Sequence, residues 1–114
     1  MKRGDIVLIT VPFSDLTSTK MRPALVVSPE IKSEDDFVVA LITTNIHRPL
    51  LSSDYAIKTG DKEFGVTGLR FDSVFRMSKL FSLDKTLAQR KLGKVSSTLM
   101  KNLERNLKIA LGIT

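Results

Sequence analysis

Apolar and polar positions fall in short blocks along this chain, and the blocks set its expected elements. Asp5–Val11 is rich in isoleucine and valine, stops at Pro12 and reads as a strand. Phe13–Met21 is polar, with small hydroxyl residues, and reads as an exposed loop longer than a tight hairpin needs. Arg22–Ser28 is a second strand, ended by Pro29. Phe37–Thr44 is a continuous apolar run closing on two threonines, the pattern of a buried strand. Ser53–Ile57 is a short strand, and Thr59–Gly68, with its three glycines, a loop. Leu69–Met77 alternates as a strand does, and Lys79–Leu83 and Arg90–Val95 are two further short ones. The end of the chain changes period. Leu99, Leu103, Leu107 and Leu111 recur every four residues with Ala110 beside them, so a helix is expected. Ser97 stands at its N-cap and Gly112 at its end. Lys101, Arg105 and Lys108 take the opposite face. Five to seven short strands and a terminal helix make a mainly β fold, a small, highly curved sheet or barrel. With no repeat, low-complexity tract or linker, residues 1–114 read as a single domain.

Composition narrows the chemistry. A chain of 114 residues is long enough to bury one core without staples. It has no cysteine, which excludes a disulfide framework, a thiol nucleophile and cysteine-ligated zinc. No stretch has the length of a signal peptide or of the roughly 20 apolar residues of a membrane span. A cytoplasmic protein is the simplest expectation. Charge is unevenly placed: residues 1–84 balance, and the whole +6 comes from the last thirty residues, where seven basic side chains face one acid, Glu104. That asymmetry suits an anionic partner, and it equally suits a solvated helix face.

The candidate reactive groups are few. His47 is the only histidine and sits in a polar turn, so a two-histidine acid–base pair is excluded. Glu34, Asp35 and Asp36 are adjacent and cannot all face one metal, which makes a solvated turn the better reading. There is no glycine-rich phosphate loop. An enzyme built on this chain is left with arginine and hydroxyls. Arg22 precedes Pro23, which cannot donate to a ladder and so belongs at the first residue of a strand. Pro23 also biases Arg22 toward an extended conformation. Arg22 is then a fixed cation at a strand mouth, suited to a phosphate. A pair with a nearby carboxylate is the alternative. Thr43 and Thr44 end the apolar strand, where a hydroxyl can be held rigidly. Plain β-propensity also explains them.

Taken in order, Arg3-Gly4-Asp5-Ile6-Val7, Arg22-Pro23-Ala24-Leu25-Val26-Val27-Ser28 and Ala40-Leu41-Ile42-Thr43 resemble the MazF/PemK family of toxin endoribonucleases. So do Asp72-Ser73-Val74, Lys79-Leu80-Phe81-Ser82-Leu83-Asp84 and the helix ending Leu107–Leu111. The resemblance covers essentially the whole chain. It implies an SH3-like barrel with a C-terminal helix, assembled as a homodimer. It implies metal-independent cleavage of single-stranded RNA without a cofactor, and neutralisation by a cognate antitoxin. Arg22 and Thr43 match the family's catalytic pair. Attack by the ribose 2′-hydroxyl would give a 2′,3′-cyclic phosphate and a 5′-hydroxyl and would confine cleavage to RNA.

This chain departs from better-known members where they carry Gln-Ile-Arg and it carries Lys79-Leu80-Phe81. Arg76 and Lys79 are candidate replacements for phosphate contacts, with surface solvation as the other reading. Lys20, on a loop expected to be mobile and to close over the substrate, and Thr44 complete the expected RNA-binding set. Two other functions use the same kind of barrel. One is a CcdB-like poison that binds gyrase and cleaves nothing. The other is a non-catalytic DNA- or RNA-binding module, suggested by the basic tail.

Overall fold

The computed structural model describes residues 1–12 and 19–113, with backbone alone for residues 11, 12 and 19. Among these residues six strands form one antiparallel sheet: β1 (Asp5–Pro12), β2 (Thr19–Val26), β3 (Asp36–Thr43), β4 (Asp54–Ile57), β5 (Ser73–Asp84) and β6 (Ala88–Lys94). Their order across the sheet is β4-β5-β3-β2-β1-β6. Helix α1 (Ser97–Leu111) follows, and single 3-10 turns occupy Gly65–Thr67 and Lys85–Leu87.

The order forces the sheet to curl. β5 and β6 are four strand spacings apart, which on a flat sheet is about 19 Å. The chain joins them through the 3-10 turn Lys85–Leu87 alone, whose rise of about 2 Å per residue covers less than half of that. Only a rolled sheet brings the two strands within reach. Register shifts in β6 against β1, at Ile6/Val7 and Leu8/Ile9, supply local twist. The result is the expected mainly β, SH3-like architecture with one C-terminal helix.

Two apolar clusters follow from strand alternation. Ile6, Leu25, Ala40, Ile42 and Phe75 face the helix and pack with its Leu99, Met100 and Leu103. Val7, Ile9, Ala24, Val26, Phe37 and Val39 face the other way and are as fully buried, with no helix over them. The curl of the sheet itself covers this second cluster. Both faces of β3 are therefore apolar, which explains its unbroken hydrophobic run.

Several boundaries differ from the sequence expectation. Pro23 is not the first residue of its strand; β2 starts at Thr19 and pairs with β1 down to Pro12. The proline is admitted because Thr19–Pro23 has β1 on one side only, with β3 joining at Ala24. The stretches 69–77 and 79–83 are not two strands; from Ser73 on they form one twelve-residue strand. The helix N-cap is Ser96, whose hydroxyl oxygen accepts from the Leu99 N–H at 3.0 Å. Gly112 closes the helix in the left-handed conformation, as expected. Leu111 is exposed, so the buried stripe ends at Leu107. Of the expected loop Phe13–Met21, residues 19–21 are strand and residues 13–18 lie outside the described residues. Among the described residues no helix is long and apolar enough to cross a membrane.

Candidate active site

Arg22 lies on the same side of β2 as Ala24 and Val26, at the open end of the curled face. The β2–β3 ladder runs Val26↔Val39, Leu25↔Ala40 and Ala24↔Leu41, then stops. Two positions further along this register Arg22 stands against Thr43, where the strands have parted. Both residues line a cleft of about 180 Å3 with Leu41, Ile42, Arg76 and Lys79. The expected catalytic pair thus shares one cleft.

Thr43 is half-buried. Its Oγ1 accepts the Asn45 N–H at 3.1 Å, a contact that orients the hydroxyl. A threonine hydroxyl has one proton to donate, and this contact leaves it available.

Arg76 enters from β5, paired across the sheet with Leu41 on one side and Asp54 on the other. It is no solvated surface cation: only 8% of the residue is exposed. Its Nε donates to Asp54 Oδ1 at 3.0 Å, and the Asp54 side chain is fully buried. The second Asp54 oxygen accepts the Leu51 N–H at 2.9 Å and lies 3.9 Å from Arg48 Nη2. One buried carboxylate therefore serves two arginines, of which Arg76 reaches the cleft. Asp54 was missing from the sequence reading. Nothing local marks it, because its partner lies 22 residues away and is found only by the β4–β5 pairing.

Lys79 reaches the cleft by a different device. The β3–β5 register jumps from Ala40↔Leu80 to Leu41↔Arg76, which leaves Met77, Ser78 and Lys79 as a bulge. Met77 fills the core while Lys79 is thrown outward to the cleft rim. Bulges commonly re-aim side chains in this way. The seam seen in the sequence between residues 77 and 79 is this bulge rather than a strand end.

The other expected contacts are placed differently. Lys20 is exposed and shares the Arg22 side of β2, beyond the cleft lining. Thr44 does not face the cleft; it lines a separate groove with Pro23. None of the seven basic residues of the last thirty lines the cleft. Lys85 Nζ instead donates to the carbonyls of Ile31 and Glu34 at 3.1 and 2.6 Å. Lys91 pairs with Asp5 at 3.2 Å. His47 is exposed and outside the cleft. Among the described residues no three potential metal ligands gather, Glu34, Asp35 and Asp36 included.

The cleft presents guanidinium, ammonium and hydroxyl donors over an apolar floor of Leu41 and Ile42. Such a donor set suits a tetrahedral oxyanion. Residues 2–111 match the family described as PemK-like, MazF-like toxin of type II toxin-antitoxin system. No curated protein sequence is significantly similar to the chain. Among solved structures, an endoribonuclease in complex with its cognate antitoxin from a mycobacterial species superposes with a TM-score of 0.77 at 22% identity, over 100% of this chain and 97% of that one. The Mycobacterium tuberculosis toxin MazF-mt6 gives 0.76 at 20% identity, over 96% and 98%. A MazE–MazF complex from Deinococcus radiodurans gives 0.73 at 17% identity, over 100% and 97%.

Proposed function

The chain belongs to the PemK-like, MazF-like toxins of type II toxin–antitoxin systems, and from that premise we propose that it is an endoribonuclease cutting single-stranded RNA between Arg22 and Thr43. The observation that carries this reading is that Arg22 and Thr43 line one cleft just past the last β2–β3 pair, with Arg76 in the same lining.

The reaction is an internal transfer. The 2′-hydroxyl oxygen bonds to the adjacent phosphorus, the bond from phosphorus to the 5′-oxygen breaks, the 2′ proton departs and the 5′-oxygen takes one up. The products are a 2′,3′-cyclic phosphate and a 5′-hydroxyl. Because the nucleophile belongs to the substrate, the protein has to align it and neutralise the developing dianion. Arg22 supplies a permanent charge and paired N–H donors. Thr43 donates its O–H to a non-bridging oxygen. Arg76, held by Asp54, and Lys79 add positive potential beside them. The apolar floor strengthens each of these interactions by keeping water away.

By the same reading the partners are RNA, a second copy of this chain in a twofold dimer, and a cognate antitoxin whose segment occupies the cleft, with the cytoplasm as the place of action. The test is incubation with end-labelled RNA in EDTA, followed by identification of the ends. Cyclic phosphate ends are expected, and Arg22→Ala, checked for fold by circular dichroism, should lose about 100- to 1000-fold in rate, as removal of one preorganised donor does. Intact RNA with the wild-type protein, or full activity in Arg22→Ala, would send the assignment back to a binding-only barrel.

A further inference from the structure

Arg22 and Pro23 are neighbours in β2, as Thr43 and Thr44 are at the end of β3, and each pair is split between two concavities. Arg22 and Thr43 line the cleft; Pro23 and Thr44 line a groove of about 350 Å3 on the other side of the same backbone. For Arg22 and Pro23 the split is the ordinary alternation of a strand; Thr44 is turned to the groove by the bend that follows β3. The backbone at these two places is therefore a ridge between the cleft and the groove.

The groove has a definite chemical character. Leu8, Pro23, Leu69 and Leu92 make an apolar floor. Arg70, Arg90 and Phe71 stand along it, and no acid is among the described lining residues. Neither arginine forms an ion pair among the described residues. Phe71 is 65% exposed, the highest value among the large exposed hydrophobics of the described residues. Neighbouring Asp72 is turned away, its Oδ1 accepting the Thr59 N–H at 2.8 Å. The wall is rigid because Gly68 and Gly93 let the segment before Leu69 lie directly on β6. A Cβ on Gly68 would meet the Leu92 carbonyl oxygen at 2.0 Å, and one on Gly93 would meet Thr67 backbone atoms at 2.4 Å.

We propose that this groove is a nucleotide subsite, in which a base adjoining the scissile phosphate stacks on Phe71 while Arg70 and Arg90 hold the neighbouring phosphate. The proposal rests on the ribonuclease reading. An exposed aromatic sharing a groove with two arginines is what single-stranded nucleic acid uses, since every base has a stacking face and every link a charge. The ridge supplies the geometry: a strand crossing it leaves its phosphate with Arg22 and Thr43 and drops the next base on the other side.

The chain contains no tryptophan, so Phe71→Trp installs a single fluorophore in the groove. The probe is a short single-stranded RNA methylated at every 2′-hydroxyl, which cannot undergo internal attack. Titration is expected to quench the Trp emission saturably, with the dissociation constant that anisotropy of labelled RNA gives. Phe71→Ala should weaken binding about tenfold, within the usual worth of one stacked base, and the Trp variant should restore it. Arg70→Ala and Arg90→Ala should each flatten the salt dependence, by a slope of about 0.7. Unchanged affinity in Phe71→Ala, or Trp emission that RNA leaves untouched and only a protein partner alters, would overturn the proposal. Failure of the wild-type protein to cut RNA would remove the ribonuclease reading instead, whereas cleavage combined with a silent Trp would remove only the groove.

Discussion

Arg76 and Asp54 are cross-strand neighbours in β5 and β4, and their side chains close the same contact at 3.0 Å. Backbone register and ion pair reinforce each other, so the guanidinium is held at the cleft without freedom to swing to solvent. Removing one partner of a buried pair leaves the other charge stranded, typically at about 3–5 kcal/mol. Asp54→Ala should lose stability on that scale in urea denaturation. The double variant Asp54→Leu/Arg76→Met should regain part of it, since Arg48 and the Leu51 N–H still lose their partner, while binding RNA more weakly. A single variant as stable as wild type would show that the pair carries no such weight.

Thr43 does two things through one oxygen, accepting from Asn45 and, in the proposed reaction, donating to phosphate. Serine keeps both capacities and valine neither. Thr43→Ser should retain activity within about tenfold and Thr43→Val lose about 100-fold or more. Equal rates for the two variants, measured on the same labelled RNA, would remove the hydroxyl from the mechanism.

Lys79 lines the cleft from the bulge, and Lys20 lies beyond the lining along β2. Each contact to a single-strand phosphate contributes a slope of about 0.7 in the logarithmic salt dependence of binding. Lys79→Ala should lower the slope by that amount. Lys20→Ala should do so only if the strand of RNA runs on along β2, so the comparison reads the direction of the track.

Gly93 sits where the chain before Leu69 crosses β6. Alanine there forces a Cβ to within 2.4 Å of the Thr67 backbone. Backbone cannot yield as a flexible side chain does, and overpacking of this kind costs about 1–3 kcal/mol. Gly93→Ala should lower the thermal midpoint accordingly, whereas Gly60→Ala, with nothing within 4 Å of its Cβ, should not.

Asp84 caps the turn into β6. Its carboxyl is held below the ordinary range first by the Thr86 hydroxyl and then by the Thr86 N–H. A carboxyl with a depressed folded value stabilises above its unfolded value and loses that contribution as pH falls through the folded one. Thr86→Val should therefore raise the Asp84 midpoint in a carbon-detected NMR titration. An unmoved midpoint would reject the hydroxyl as the main cause.

Local pattern was enough for the elements that answer to local forces. The apolar runs at Asp5–Val11 and Phe37–Thr44, the leucine repeat of α1 and its closing Gly112 all lie within a residue or so of their structural positions. Burial of one face and the capping of one end depend on residues within a few positions of each other, and such signals survive in a bare string. Thr43 was legible as a strand-end hydroxyl for the same reason; Arg22 lies inside β2 and not at a strand mouth, and the family resemblance joined the two.

Tertiary structure decided what depends on which strands become neighbours. Pro23 is tolerated inside β2 because β3 has not yet joined there. Lys79 reaches the cleft because a bulge forms opposite Ala40 and Leu41. Asp54 matters because β4 pairs with β5, and Thr44 leaves the cleft because the chain bends just after β3 ends at Thr43. The alternation of side chains along a strand is encoded residue by residue. The partner strand, its register and its interruptions are settled by the packing of the whole rolled sheet, where contacts far apart in sequence compete for the same interior.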